Sequence, residues 1–101
     1  MIHEQMELNG TQIDAYQIPC GDFNIVFAAT GSGLVGCGAF DVAALDKFEY
    51  PAAKVTGAEG GPVVTVEDLL EATVVQLNKA AAQKGVEPGE TGENALYKLV
   101  R

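Results

Sequence analysis

The chain has no tryptophan, one histidine, two cysteines and six basic residues among its 101. Each scarcity removes a class of function. Six Lys and Arg against fourteen Asp and Glu leave a formal net charge of −8, which repels phosphate backbones and anionic membranes. Neither nucleic acid nor a membrane is therefore an expected partner. The single histidine, His3, falls on the polar side of a terminal strand, so Ser-His-Asp or Cys-His catalysis would have to draw it from the end of the chain. No C-x-x-C or H-x-x-H spacing is present, and no metal site is predicted. The start, Met1-Ile2-His3-Glu4-Gln5, lacks a basic segment and an apolar stretch, so no secretory signal is read there and the expected location is cytoplasmic. Cys20 and Cys37 are then read as two reduced thiols.

Charge is also missing locally. Phe23 to Phe40 is an eighteen-residue window without a charged side chain, yet four glycines, Thr30 and Ser32 interrupt it, and Asp22 and Asp41 flank it. That pattern suits buried strands joined by a turn better than a membrane span. Residues 1–50 carry one cation, Lys47, against seven acids, so any cationic partner is drawn to this half, although a solvated acidic surface explains the same charges.

What is present fits one domain, residues 1–101, with 48% hydrophobic residues to build a core. Asn9-Gly10 tolerates the positive φ values of a two-residue hairpin turn, which sets Leu8 opposite Thr11, Met6 opposite Ile13 and Glu4 opposite Ala15. Ile2, Met6, Leu8, Ile13 and Ala15 then share a face. Phe23–Ala29 reads as a third strand, apolar on both sides, and Leu34–Cys37 as a fourth, antiparallel to it. A helix is expected from Ala39 to about Phe48, ended by Tyr50-Pro51, then a fifth strand at Lys54–Ala58. Thr65 and Asp68 resemble a capping box opening a long helix, in which Val66, Leu69, Leu70, Val74, Leu77 and Ala80 form one stripe until Gly85. Thr91 can cap a last short helix that turns Ala95, Leu96, Leu99 and Val100 inward. The expected fold is α+β: a mainly antiparallel sheet of about five strands with helices packed on one face. Val75 and Ala82 on the outer side of the long helix, and the two-faced third strand, lead to the expectation of a homodimer or larger assembly.

Two constellations could carry chemistry. Gly31-Ser32-Gly33-Leu34-Val35-Gly36 spells G-x-G-x-x-G after an apolar strand, with Glu59 placed 28 residues after Gly31, where a ribose-binding acid would belong. Only one βαβ unit is available, too little for a dinucleotide crevice, so Gly31 and Gly33 are better read as a turn and no cofactor is expected. The second is Cys37-Gly38-Ala39-Phe40-Asp41. Cys37 would stand before a helix N-terminus whose N–H groups favour a thiolate, Gly36 and Gly38 would leave the backbone open to a ligand, and Asp41 would cap the helix or orient that ligand. The structural reading of the same residues is a buried cysteine, close-packing glycines and a helix-capping Asp.

Gly36-Cys37-Gly38-Ala39-Phe40-Asp41-Val42 resembles the C-G-A-L-D-V segment of the YunC-like family of small uncharacterised bacterial and archaeal proteins, with Phe40 in place of the usual Leu. Val64–Leu70 and Gly89–Leu96 are similar to further stretches of that family, and together the likeness spans most of residues 23–101. It implies a compact α+β domain and supplies no mechanism. Two functions stay open. One is a homo-oligomeric binding or accessory protein whose Cys37 to Asp41 corner, with Gly31, Gly33, Gly36 and Gly38 nearby, takes a small metabolite or a peptide. The other is an enzyme using Cys37 as a thiolate nucleophile with Asp41 as a positioning group.

Overall fold

The computed structural model describes residues 1–100. Six strands form one sheet in the order β1 (Ile2–Leu8), β2 (Thr11–Cys20), β3 (Phe23–Ala29), β4 (Leu34–Gly36), β5 (Ala52–Thr56) and β6 (Thr73–Leu77). Neighbours are antiparallel except β4 and β5, which run parallel through the crossover helix α1 (Val42–Asp46). The hairpin register is the one the Asn9-Gly10 turn dictates: Leu8 pairs with Thr11, Met6 with Ile13 and Glu4 with Ala15. Asn9 and Gly10 both adopt positive φ, as that turn requires.

Alternation along the strands sorts the apolar residues onto two faces. Ile13, Ala15, Val26, Ala28, Val35, Ala53, Val55 and Val74 are buried with Val66 and Leu69 of α2 (Val66–Glu71) and Ala95, Leu96 and Leu99 of α4 (Gly92–Leu99). On the opposite face a smaller cluster joins Leu34 and Ala52 to Val42 of α1. Helices thus cover most of one face, and α1 covers a part of the other. The α+β class holds, with one strand more than expected.

That sixth strand corrects the reading of residues 65–85 as one helix. The capping box is present, with Thr65 Oγ1 accepting from Asp68 N and the Asp68 carboxylate accepting from Thr65 N, but α2 ends after Glu71. Ala72 leaves the helical region at ψ 166°, and Thr73-Val74-Val75 enters a strand paired with β5. Three successive β-branched residues are stiff at χ1 and sit well on a pleated surface. Asn78 then caps α3 (Lys79–Gln83), which Gly85 terminates at φ +94°. Val75 is consequently a strand residue. The helix expected from Ala39 is also shorter, because Asp41 caps it and Phe40 stays outside.

Candidate functional site

The parallel pair β4–β5 has two ends that the chain finishes differently. Before β4, Gly31 at φ +90° closes a turn in which Thr30 N donates to the Gly33 carbonyl at 2.8 Å. A Cβ on Gly33 would crowd the Pro51 carbonyl and the Leu99 side chain. Gly31 and Gly33 therefore lead into a strand, and the G-x-G-x-x-G string opens no helix. Glu59 lies in a short 3-10 turn, Ala58–Gly60, itself at φ +56°.

This end is organised by a residue that the sequence does not advertise. Asn78 is buried, and its amide nitrogen donates to the Val42 carbonyl at 3.0 Å and the Tyr50 carbonyl at 2.8 Å. Its oxygen accepts from Ala52 N at 3.2 Å and Ala81 N at 2.9 Å. One side chain thus ties α1, β5 and α3 together with every polar atom used, as burial of an amide demands. Nearby, burial pushes the Tyr50 phenol above its usual value.

At the far end Cys37 follows β4 and completes its ladder to β3. Its N–H donates to the Val26 carbonyl at 3.0 Å, while Val26 N donates to the Cys37 sulfur at 3.5 Å, so the thiol replaces a carbonyl acceptor. The side chain is 6% exposed and points into the main core. Gly36 is roofed by the Phe40 ring, which a Cβ would strike. That ring ends a ladder of aromatic contacts, His3 to Tyr16 at 4.5 Å, Tyr16 to Phe27 at 4.9 Å and Phe27 to Phe40 at 5.4 Å. His3 is thereby explained: its ring stacks on Tyr16 and bonds Asp14 at 2.9 Å, and that hydrogen bond, with a second from Gln5, holds the Asp14 carboxyl below its ordinary range. The Asp41 carboxylate accepts from Ala44 N at 3.1 Å, capping α1.

Of the residues singled out from sequence, Cys37 and Gly38 line a common cleft of about 540 Å³, and Gly31, Gly33, Gly36 and Asp41 lie outside its lining. The opposite walls come from the β2–β3 corner, Asp22 to Asn24, and the loop Pro62 to Val64. Asn24 Nδ2 donates to the Val64 carbonyl at 2.9 Å and so holds that loop against β3. Two apolar side chains stand uncovered at the rim, Phe23 at 59% and Val64 at 45% exposure. A second cleft of about 440 Å³ shares Gly38, Pro62 and Val63 with the first and adds Lys54 and Val75, the latter 51% exposed. The two clefts, together the groove, adjoin at Gly38, an exposed residue where a Cβ would meet nothing within 4 Å. Sequence reasoning missed Phe23, Val64 and Val75 as partners of Cys37 and Gly38, because three separate segments bring them together. The one local sign was Asn24, a polar residue inside an apolar strand.

Among the described residues no group of three or more His, Cys, Asp and Glu is arranged to hold a metal, and no helix is long and apolar enough to cross a membrane. Residues 36–99 match the family model DUF1805, a domain of unknown function. The chain is 30% identical over 94 residues to the uncharacterized protein YunC of Bacillus subtilis strain 168, covering 93% of this chain and 92% of that protein. Its fold is similar to the crystal structure of a protein of unknown function, TA1206, from Thermoplasma acidophilum, with TM-score 0.83, 24% identity, and 97% of this chain and 91% of that one covered.

Proposed function

Because the chain belongs to the DUF1805 family, a domain of unknown function, we propose a role read from its own geometry: a homo-oligomeric binding or accessory protein that takes an apolar group of a small molecule or peptide in the groove over Gly38. The observation that carries this reading is the groove itself. Phe23, Val64 and Val75 are three large apolar side chains left substantially uncovered, the first two lining one cleft and Val75 the adjoining one. A concave apolar surface of several hundred Å³ with a few polar groups at its margins is the usual form of a ligand site. Burial of Cys37 and use of its sulfur as an acceptor for Val26 N favour binding over nucleophilic chemistry at this corner.

The test is a titration of 15N-labelled protein with N-acetylphenylalanine amide, followed by amide chemical shifts. Saturable shifts confined to Phe23, Gly38, Val63 and Val64 are expected, and Gly38→Val should remove them. That substitution meets open space and needs no positive φ, so the fold survives while a branched side chain is set at the shared edge of the two clefts. Shifts scattered over the surface, or unchanged in Gly38→Val, would overturn the reading.

A further inference from the structure

Each cleft of the groove has one charged residue in its lining. Asp22 lines only the first cleft and Lys54 only the second, while Val63 and the open Gly38 line both. The molecule also carries an exposed feature of matching composition. After α1 the chain makes a tight corner, Lys47-Phe48-Glu49, in which Phe48 N donates to the Leu45 carbonyl and Glu49 N to the Asp46 carbonyl, both at 3.0 Å. Phe48 is 78% exposed, the highest value among the large apolar side chains of the described residues. Glu49 occupies the left-handed region at φ +55°, where glycine is the usual residue, and so keeps a carboxylate beside Phe48 at some conformational cost. Lys47, on the other side, is the single cation of residues 1–50. Among the described residues, Asp22, Lys47, Glu49 and Lys54 make no ion pair.

We infer that the groove receives the Lys47-Phe48-Glu49 corner of a second copy of this chain, with Phe48 over Gly38, Lys47 facing Asp22 and Glu49 facing Lys54. This rests on the groove being a binding site for an apolar group and names its occupant. The topology forbids the contact within one molecule. Residues 47–50 precede β5 beside the start of β4, since Leu34 pairs with Ala52, whereas Cys37 and Gly38 follow the end of β4. Corner and groove therefore lie at opposite ends of the parallel pair, and two copies set antiparallel exchange corners reciprocally, which closes the assembly at two. The aromatic side chain supplies burial and the two charges supply register and direction.

Light scattering after size exclusion tests the pairing. The wild-type chain should run as a dimer of about 21 kDa, twice its 10.5 kDa mass, at micromolar concentration. Phe48→Asp and Gly38→Val should each halve the mass while circular dichroism stays unchanged. Lys47→Glu and Asp22→Lys should each weaken association at least tenfold, and the double variant should restore it, which no purely structural role of either exposed residue would produce. A 10.5 kDa species at every concentration, a dimer indifferent to Phe48→Asp, or a double variant weaker than its parents would each overturn the inference. The underlying reading fails separately. N-acetylphenylalanine amide should still shift Gly38 in Phe48→Asp, more tightly than in wild type because no competing corner remains. If that probe does not bind monomeric Phe48→Asp, the groove itself is no site.

Discussion

The two ends of the β4–β5 pair are made of similar material and finished in opposite ways. At the Asn78 end four hydrogen bonds to one buried amide leave no polar atom unused, and Gly33 packs directly on Pro51 and Leu99. At the Cys37 end the thiol is spent on Val26 N, yet Gly38 faces open space and Phe23 and Val64 stand uncovered. Closure marks the end that holds the fold, and the other end keeps apolar surface uncovered. Gly36 and Gly38, two residues apart, show the contrast at its smallest scale.

The comparison breaks most severely at Asn78. Asn78→Ala removes the partner of the Val42 and Tyr50 carbonyls and of the Ala52 and Ala81 N–H groups and should cost about 3 kcal/mol, measured by urea unfolding. A loss below about 1 kcal/mol would mean that water replaces the amide and that this end is less closed than it looks. Next comes the glycine pair. Gly36→Ala pushes a methyl group into the Phe40 ring and should destabilise by about 1–3 kcal/mol, whereas Gly38→Ala should stay within about 0.5 kcal/mol. Equal effects would erase the difference between packing glycine and open glycine.

Glu90 sharpens the stability side of the argument through pH. Burial opposes its charge, but hydrogen bonds from Lys98 Nζ at 2.8 Å, Glu87 N at 2.7 Å and Asn94 Nδ2 at 2.9 Å outweigh it and hold the carboxyl below its ordinary value. A carboxyl depressed in the folded state adds stability that is complete above its unfolded value and lost as pH falls through its folded value. Glu90→Gln should therefore be less stable than wild type near neutrality by about 1–2 kcal/mol, and the gap should close in acid. A pH-independent gap would assign the effect to packing. The smallest effect concerns the thiols. Cys37 should alkylate about tenfold more slowly than the half-buried Cys20 in the native protein and equally fast in denaturant, because reaching it requires local opening. Faster native reaction at Cys37 would return the thiolate reading to the groove.

Local chemistry was enough for the parts whose geometry is enforced within a few residues. Asn9-Gly10 imposed the hairpin register, Thr65 with Asp68 imposed the start of α2, Thr91 that of α4 and Gly85 the end of α3. Residues 72–77 were not legible in the same way. Val74 and Leu77 satisfy a helical stripe, and they also suit a strand, so the pattern alone could not choose. Pairing with β5 decided it, aided by Glu90 and Gly89, whose carbonyl and N–H bond Val74 on the outer side of β6 at 2.8 Å.

The candidate site divides along the same line. The order of elements along the chain was sufficient for an α+β class, and the segment from Gly36 to Val42 led only to the expectation of a corner between Cys37 and Asp41. Which glycine is open was settled only in three dimensions, because Phe40 folds back over Gly36 through an aromatic ladder that starts at His3. The groove likewise needed three distant segments, Asp22 to Asn24, Pro62 to Val64 and Val75, to converge on the end of β4. Turns and caps are short-range and cost little chain entropy to form, so residue order determines them. A concave surface exists only after long-range pairing has been completed, so the tertiary structure alone decides it.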